Sequence, residues 1–162
     1  MSRPLGRIRL YSSILLSFFV IPALLAPWIA PHDIDQMDLI RQLETPSFDH
    51  WMGIDENGSD IFSRLLAGAR ISLYVGFWVI GISTMIGVSL GLISGYFGGW
   101  LDIVLMRIVD VLLAFPGLLL AIALVAVLGP DINNVILALS ALGWVAYALS
   151  LIHISEPTRQ AE

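Results

Sequence analysis

The stretch from Ile71 to Ser94, ISLYVGFWVIGISTMIGVSLGLIS, carries no charged side chain. An α-helix of about 20 such residues is long enough to cross the hydrocarbon core of a bilayer. The chain as a whole is also strongly apolar, because only 13% of its 162 residues are charged and 57% are hydrophobic. A typical soluble domain is about 25% charged. The composition therefore predicts an all-α integral membrane protein.

Three more stretches are long and apolar enough to cross a membrane. They are Leu10–Pro31, a segment that starts near Asp102 and ends at Gly129, and Ile132–Ile152. The first follows basic residues, as both a transmembrane helix and a cleaved signal peptide do. Its length favours the uncleaved helix, since the apolar part of a signal peptide is about 7–15 residues long. We therefore expect about four transmembrane helices.

Glycine and proline residues suggest where these helices end. We expect the second helix to end near Ser94 and the glycine-rich segment Gly95–Trp100 to form an interfacial turn. Pro116 lies within the third apolar stretch, where proline removes a backbone hydrogen bond and kinks a helix. Kinked spans often line transport paths, but a passive kink fits equally well.

Residues 32–70 form the one long polar stretch, with eight acidic residues against three arginines. Thr45-Pro46-Ser47 and Glu56-Asn57-Gly58 are turn signals. A short amphipathic helix is predicted after them, with Ser59 or Asp60 as its N-cap. The apolar residues of that helix are Phe62, Leu65, Leu66 and Ala69.

The acidic residues at the start of this stretch have one alternative interpretation, as an oxygen-rich metal site. Its residues are His32, Asp33, Asp35 and Asp38. We interpret them instead as a solvated acidic loop, because runs of acidic residues are common on solvent-exposed loops.

Basic residues predict the orientation. Arg3, Arg7 and Arg9 precede the first span, so the N-terminus should be cytoplasmic and the acidic loop extracytoplasmic. The predicted organisation has four segments. They are residues 1–31 (cytoplasmic N-terminus and first helix), 32–69 (extracytoplasmic loop with the amphipathic helix), 70–148 (helices two to four) and 149–162 (a tail considered below).

The residue types that are missing exclude several functions. All eight basic residues are arginine and there is no cysteine, so the chain holds neither the P-loop lysine nor a thiol nucleophile. The sequence has no cluster of basic residues of the kind that binds nucleic acids. The segment Gly87–Gly91 matches the G-x-S-x-G nucleophile pattern, but within an apolar helix we interpret the match as chance. An intramembrane hydrolase and a small channel or structural membrane protein remain alternatives. We predict no catalytic residue, cofactor or metal site in this chain.

Two sets of residues are candidates for a structural or transport role. Ser83, Gly87, Gly91 and Gly95 recur every four residues, and such rows of small residues mark helix-packing faces in membranes. Arg107 and Asp110 are three residues apart on one helix, so they can form an ion pair, and Asp102 could join it. Both a structural ion pair and a direct role in transport remain open.

Several stretches, in order, resemble the second permease subunit of bacterial dipeptide, oligopeptide and nickel ABC importers. They are Ala30–Asp33, His50–Asp55 (HWMGID), Gly58–Leu66 (GSDIFSRLL), Gly68–Leu73 (GARISL), Gly95–Asp102 (GYFGGWLD), Met106-Arg107, Asp110, Leu113–Pro116 (LAFP), Gly143-Trp144 and Tyr147. Ile54 and Ser59 depart from the family pattern, which favours Thr and Arg there.

The resemblance implies a type I importer permease in the plasma (inner) membrane, with six spans and alternating access. Its implied partners are a sister permease, two cytoplasmic ATPase subunits that use the ATP, an extracytoplasmic solute-binding protein and the lipid bilayer. The family shares its scaffold among dipeptides, oligopeptides, nickel and related solutes, so the cargo stays open.

Residues 149–162 depart from the family. The string LSLIHISEPTR from Leu149 to Arg159 resembles the translation of a transposon adapter used in preparing sequencing libraries. The family would continue with a cytoplasmic coupling helix and two more spans. We therefore expect a non-native tail on a truncated, inactive permease that retains about four of six helices.

Overall fold

The computed structural model describes residues 4–34 and 36–160, and the side chains of 9–34 and 36–152. Arg3 and Asp35, which enter the predictions above, lie outside the described residues, as does the side chain of Arg7. The described chain forms five helices and, apart from one isolated bridge between Ile54 and Asp60, contains no β-structure. The helices are α1 (Pro4–Ile29), α2 (Ile61–Phe97), α3 (Gly99–Leu113), α4 (Gly117–Leu128) and α5 (Ile132–Gln160).

The predicted membrane spans correspond to these helices. Three helical segments of the described chain are long and apolar enough to cross a membrane: Arg9–Ile29, Ile61–Phe97 and Ile132–Ile152. α3 and α4 together could supply a fourth crossing as a bent pair. The all-α membrane fold expected from the composition is therefore confirmed.

The second span differs from its prediction at both ends. The amphipathic segment after Asp60 is not a separate helix, because α2 runs without a break from Ile61 to Phe97. No proline interrupts it, and isolated glycines are tolerated within a long helix. The end predicted near Ser94 is also wrong. α2 ends only before Gly98, whose φ of 58° and ψ of −153° lie outside the helical region.

The third span is broken rather than kinked at Pro116. α3 ends at Leu113, α4 begins at Gly117, and the two helices are bent by 86°. Proline disfavours the helical conformation of the residue before it, and Pro116 itself has a non-helical ψ of 114°. The Pro116 carbonyl then accepts a hydrogen bond from the Leu120 N–H at 3.1 Å, which starts α4.

The described chain forms two compact units, Met1–Tyr74 and Val75–Glu162, with the boundary inside α2. In the first unit, hydrogen-bonded turns order the polar loop between α1 and α2. The Asp38 N–H donates to the Gly58 carbonyl at 2.9 Å, and the Ile54 N–H donates to the Glu44 carbonyl at 3.0 Å. Gly58 has a φ of +77°, and a Cβ there would collide with the backbone of Asp38. The turn predicted at Glu56–Gly58 is confirmed.

In the second unit, an apolar cluster joins α3 to α5. Val109 from α3 packs with three buried residues of α5: Trp144, Val145 and Ala148. The partly buried leucines around them are Leu90, Leu105, Leu112 and Leu149. Because Leu90 belongs to α2, three helices of this unit contribute to one cluster, and α4 packs along α5.

Candidate functional site

A cluster of three polar side chains, His32, His50 and Asp60, lies where the loop meets the start of α2. The His50 Nδ1 is 3.0 Å from one carboxylate oxygen of Asp60, and the His32 Nδ1 is 4.0 Å from the other. The two imidazole rings stack with centroids 4.4 Å apart and an interplanar angle of 27°. Both rings therefore direct a nitrogen toward the same carboxylate. We call these three residues the histidine–aspartate cluster.

Asp60 is held in place by the start of α2. Its Oδ2 accepts a hydrogen bond from the Ser63 N–H at 2.8 Å, which is the N-cap arrangement. The prediction that Ser59 or Asp60 caps this helix is thus confirmed for Asp60. The Ser63 hydroxyl in turn accepts a hydrogen bond from the backbone N–H of His32 at 3.2 Å. The helix start thereby contacts both ends of the loop.

The electrostatic state of Asp60 results from two opposing effects. Burial raises the pKa of its carboxyl group, because the low-dielectric surroundings disfavour the charged form. Hydrogen bonds from the Ser63 backbone and from His50 stabilise the carboxylate, and their combined effect lowers the pKa below its ordinary value. Asp60 is therefore a buried carboxylate that stays ionised at neutral pH.

Two ion pairs involve other residues of the loop: Asp55 with Arg64 of α2, and Arg41 with Glu44. The Asp55 Oδ1 accepts hydrogen bonds from the N–H groups of Asn57 and Ser59, and Arg64 contacts its Oδ2. These hydrogen bonds lower the pKa of Asp55, with the Ser59 N–H as the largest cause. Arg41 and Glu44 form a two-pronged ion pair at 2.6 and 2.9 Å.

The oxygen-rich set drawn from the sequence is not the one that the structure assembles. His32 joins His50 and Asp60, whereas Asp33 and Asp38 line the neighbouring cleft and are not part of that cluster. Asp35 lies outside the described residues. Pattern reading missed His50 and Asp60 because they are ten residues apart. The available signal was the Asn57-Gly58 turn between them, which folds the two segments back on each other.

The row of small residues on α2 lies against α5. The Ser83 hydroxyl donates a hydrogen bond to the Ser140 carbonyl at 3.4 Å. A Cβ on Gly87 would meet the Trp144 carbonyl oxygen at 2.5 Å, and one on Gly91 would meet the Ala148 carbonyl oxygen at 3.2 Å. α5 also presents a glycine to α2, since a Cβ on Gly143 of α5 would lie 2.5 Å from the Ser83 hydroxyl oxygen. Gly95 is half-buried, and its place in a packing face stays a prediction.

The predicted ionic residues are arranged in two separate groups. Asp102 Oδ1 accepts a hydrogen bond from the Ser94 hydroxyl at 2.5 Å, which ties the start of α3 to the end of α2. Arg107 Nη1 and Asp110 Oδ2 are 3.8 Å apart, on side chains that are 80% and 60% exposed. No described ion pair links Asp102 to Arg107. A transport role for Arg107, Asp110 or Pro116 stays a prediction.

The G-x-S-x-G pattern does not lie on the type of turn that presents a nucleophilic serine. Gly87–Gly91 lies in the interior of α2, whereas the G-x-S-x-G elbow requires a strained strand-to-helix turn. The Ser89 side chain is exposed on that helix. The interpretation of this motif as a chance match therefore agrees with its place in the fold.

Two family profiles match successive parts of the chain. The N-terminal TM domain of oligopeptide transport permease C matches residues 7–46, and the binding-protein-dependent transport system inner membrane component matches residues 87–154. The chain is 40% identical over 135 residues to the dipeptide transport system permease protein of Alkalihalophilus pseudofirmus. This chain belongs to the dipeptide and oligopeptide ABC importer permease family. The resemblance carried by its motifs is confirmed.

Other permeases of the family are similarly related to the chain. It is 48% identical over 124 residues to the glutathione transport system permease protein of Pectobacterium atrosepticum. It is 42% identical over 129 residues to the probable D,D-dipeptide transport system permease protein of Escherichia coli K12. In the order given, the alignments to the dipeptide, glutathione and D,D-dipeptide permeases cover 83%, 76% and 80% of this chain. The same alignments cover only 44%, 41% and 43% of the length of those three relatives. The chain thus spans less than half the length of these permeases.

Proposed function

We propose that this chain is a membrane-spanning permease subunit of an ATP-driven importer for peptides or a related small solute. The observation that carries the proposal is the order of the two family matches. One covers most of α1, and the other begins within α2 and continues into α5. The proposed work of the subunit is to form part of the wall of a translocation path, without covalent chemistry.

The mechanism that fits such a wall is alternating access. α2 and α5 pack through backbone contact at Gly87, and the proposal treats them as one unit of the moving wall. A chain without lysine cannot complete a P-loop, so the proposal assigns ATP hydrolysis to two partner subunits on the cytoplasmic side. A sister permease would complete the path.

The proposed orientation places the N-terminus in the cytoplasm and the loop from His32 to Asp60 on the other side. Arginines before the first span support this orientation, because basic residues near membrane spans are retained on the cytoplasmic side. The loop is ordered by its own hydrogen bonds, as the contacts of Gly58 and Glu44 illustrate. An ordered loop on that side is a suitable docking surface for an external solute-binding protein.

A chimeric permease tests this function without requiring a longer version of the chain. Residues 10–148 replace the aligned part of the dipeptide transport system permease protein of Bacillus subtilis, to which the chain is 42% identical over 134 residues. Uptake of a labelled dipeptide is then measured in cells that lack the host permease. We expect uptake clearly above the empty-vector level. Host-level amounts of chimera in the membrane with background uptake would contradict the proposal.

A matched pair of variants makes the uptake experiment specific. Gly87→Leu places a large side chain against the α5 backbone, whereas Gly81→Leu points into open space on the same helix. We expect the first change to abolish chimera-dependent uptake and the second to preserve most of it. Equal uptake by both variants would argue against a rigid α2–α5 pair as part of the transport unit.

A further inference from the structure

We propose that His32, His50 and Asp60 bind a divalent transition-metal ion of the Zn²⁺ class. Each residue offers one ligand atom, and the three atoms lie within 4.8 Å of one another. Two imidazole nitrogens and a carboxylate oxygen form a donor set that suits Zn²⁺, with water completing the coordination. His32 and His50 belong to the loop between α1 and α2, and Asp60 is the N-cap of α2.

An unsatisfied nitrogen in the cluster supports this proposal. His32 Nδ1 is buried and has no hydrogen-bond partner among the described residues. A buried polar atom without a partner is unfavourable, because it has lost its hydrogen bonds to water, so native structures rarely retain one without a reason. The nearest acceptor is the Asp60 carboxylate at 4.0 Å, which is too far for a hydrogen bond. A metal ion bound by the Asp60 carboxylate would give His32 Nδ1 the partner that it lacks.

The spacing of the ligand atoms is close to that of a metal site. Zn²⁺ binds imidazole nitrogen at about 2.0–2.1 Å, so its ligand atoms lie roughly 3–3.5 Å apart. His50 Nδ1 and Asp60 Oδ1 are already 3.0 Å apart. His32 must approach Asp60 by less than about 1 Å, and the two stacked rings must splay so that both lone pairs meet at one point. The His32 side chain is 35% exposed and lines the neighbouring cleft.

The surroundings provide access and favourable charge. A cleft of about 160 Å³ opens beside the cluster, and both Asp33 and Asp38 line it. Their carboxyl groups attract cations, while Arg41 on the same cleft is neutralised by its ion pair with Glu44. Asp60 is held ionised by the α2 N-terminus, and a carboxylate has about four lone-pair positions, so it can accept the Ser63 N–H and bind a metal together.

Calorimetric titration of the full chain with ZnCl₂ tests the site. The protein is purified without a polyhistidine tag and held in detergent micelles, with MgCl₂ as the comparison ion. We expect one Zn²⁺ per chain and no comparable Mg²⁺ binding. His32→Ala should weaken Zn²⁺ binding at least tenfold. The matched control is His153→Ala, because the chain has three histidines and His153 is not in the cluster; it should bind as the unchanged chain does.

Electron paramagnetic resonance with Cu²⁺ supplies a second readout, which counts nitrogen ligands directly. The unchanged chain and His153→Ala should show two coordinating nitrogens, and His32→Ala should show one. His50→Ala also removes a bond that orders the loop, so the His32 variant is the decisive one. The proposal would be overturned if the unchanged chain did not bind Zn²⁺ or if His32→Ala left Zn²⁺ binding unaffected. It would also be overturned if His153→Ala and His32→Ala reduced Zn²⁺ binding equally. In that case the cluster is a proton-mediated network that orders the loop.

Discussion

Gly87 on α2 and Trp144 on α5 approach so closely that a Cβ on the glycine would lie 2.5 Å from the tryptophan carbonyl oxygen. That atom belongs to the backbone, and it cannot move aside as the end of a flexible side chain could. The Cβ of Tyr147 would lie only 2.7 Å away as well. The two helices are therefore in backbone contact at this point, and only glycine permits it.

Gly87→Ala should destabilise the chain by about 1–3 kcal/mol, because the added methyl group forces α2 and α5 apart. Gly81→Ala is the matched control, since a Cβ at Gly81 meets nothing within 4 Å. Alanine is also the better helix former, so the control should be neutral or slightly stabilising. Thermal unfolding of both variants in the same detergent measures the difference. Equal melting temperatures would show that the contact carries no stability.

Gly58→Ala should loosen the loop before α2. The glycine has a φ of +77°, and its added Cβ would collide with the Asp38 backbone, so the variant meets both strain and overlap. Gly68→Ala, on the open surface of α2, provides the comparison. Limited proteolysis should cut residues 38–60 several-fold faster in the Gly58 variant only. Similar cleavage rates in the two variants would show that this turn does not order the loop.

Ser94→Ala should weaken the connection between α2 and α3. It removes the 2.5 Å hydrogen bond to Asp102, and hydrogen bonds to charged groups contribute about 1.5–3 kcal/mol. Ser89→Ala removes an exposed hydroxyl from the same helix and serves as the control. Thermal unfolding should show a lower melting temperature for the Ser94 variant alone. No difference between the variants would indicate that water replaces the serine hydroxyl at Asp102.

The loop should lose order in acid because of Asp55. Hydrogen bonds from Ser59 and Asn57 lower its pKa in the folded state, so its contribution is fully present above the unfolded-state value of about 4. That contribution is lost as the pH falls through the lower folded-state pKa. Amide hydrogen exchange of residues 55–59, corrected for its intrinsic pH dependence, should reveal the loss.

Asp55→Asn tests the assignment of that acid transition. Asparagine keeps an acceptor oxygen for the turn but does not titrate, so the variant should show a smaller change in protection between pH 6 and pH 3. Asp49→Asn alters an exposed carboxylate of the same loop and should leave the change as it is. If both variants lose the same share of the acid response, the transition belongs to other groups.

Cysteine labelling tests the proposed orientation, since the chain has no cysteine of its own. A membrane-impermeant thiol reagent applied to intact cells should label Gln42→Cys, on the exposed surface of the loop, and should not label Ser2→Cys. Both positions should react after the cells are opened. The opposite pattern in intact cells would reverse the topology.

Local signals in the sequence were sufficient for the presence of the long apolar helices and for the cap at Asp60. The apolar pattern predicts a helix over Ile132–Ile152, and α5 begins at Ile132 as predicted but continues to Gln160. Asp60 as N-cap and Asn57-Gly58 as a turn also followed from neighbours in the chain. Such features depend on composition and on contacts within a few residues, which a linear sequence displays directly. The errors at Ser94 and Pro116 arose where glycine and proline effects compete with helix propagation.

Contacts between distant residues were decided only by the tertiary structure. The sequence showed that Ser83, Gly87 and Gly91 share a face, but not that α5 lies against it. Asp102 bonds Ser94 rather than joining Arg107, and His32 meets His50 and Asp60 rather than its acidic neighbours. Periodicity describes which side chains share one element, whereas the partner across an interface depends on how several elements pack at once. That packing is a property of the whole fold, so no local pattern encodes it.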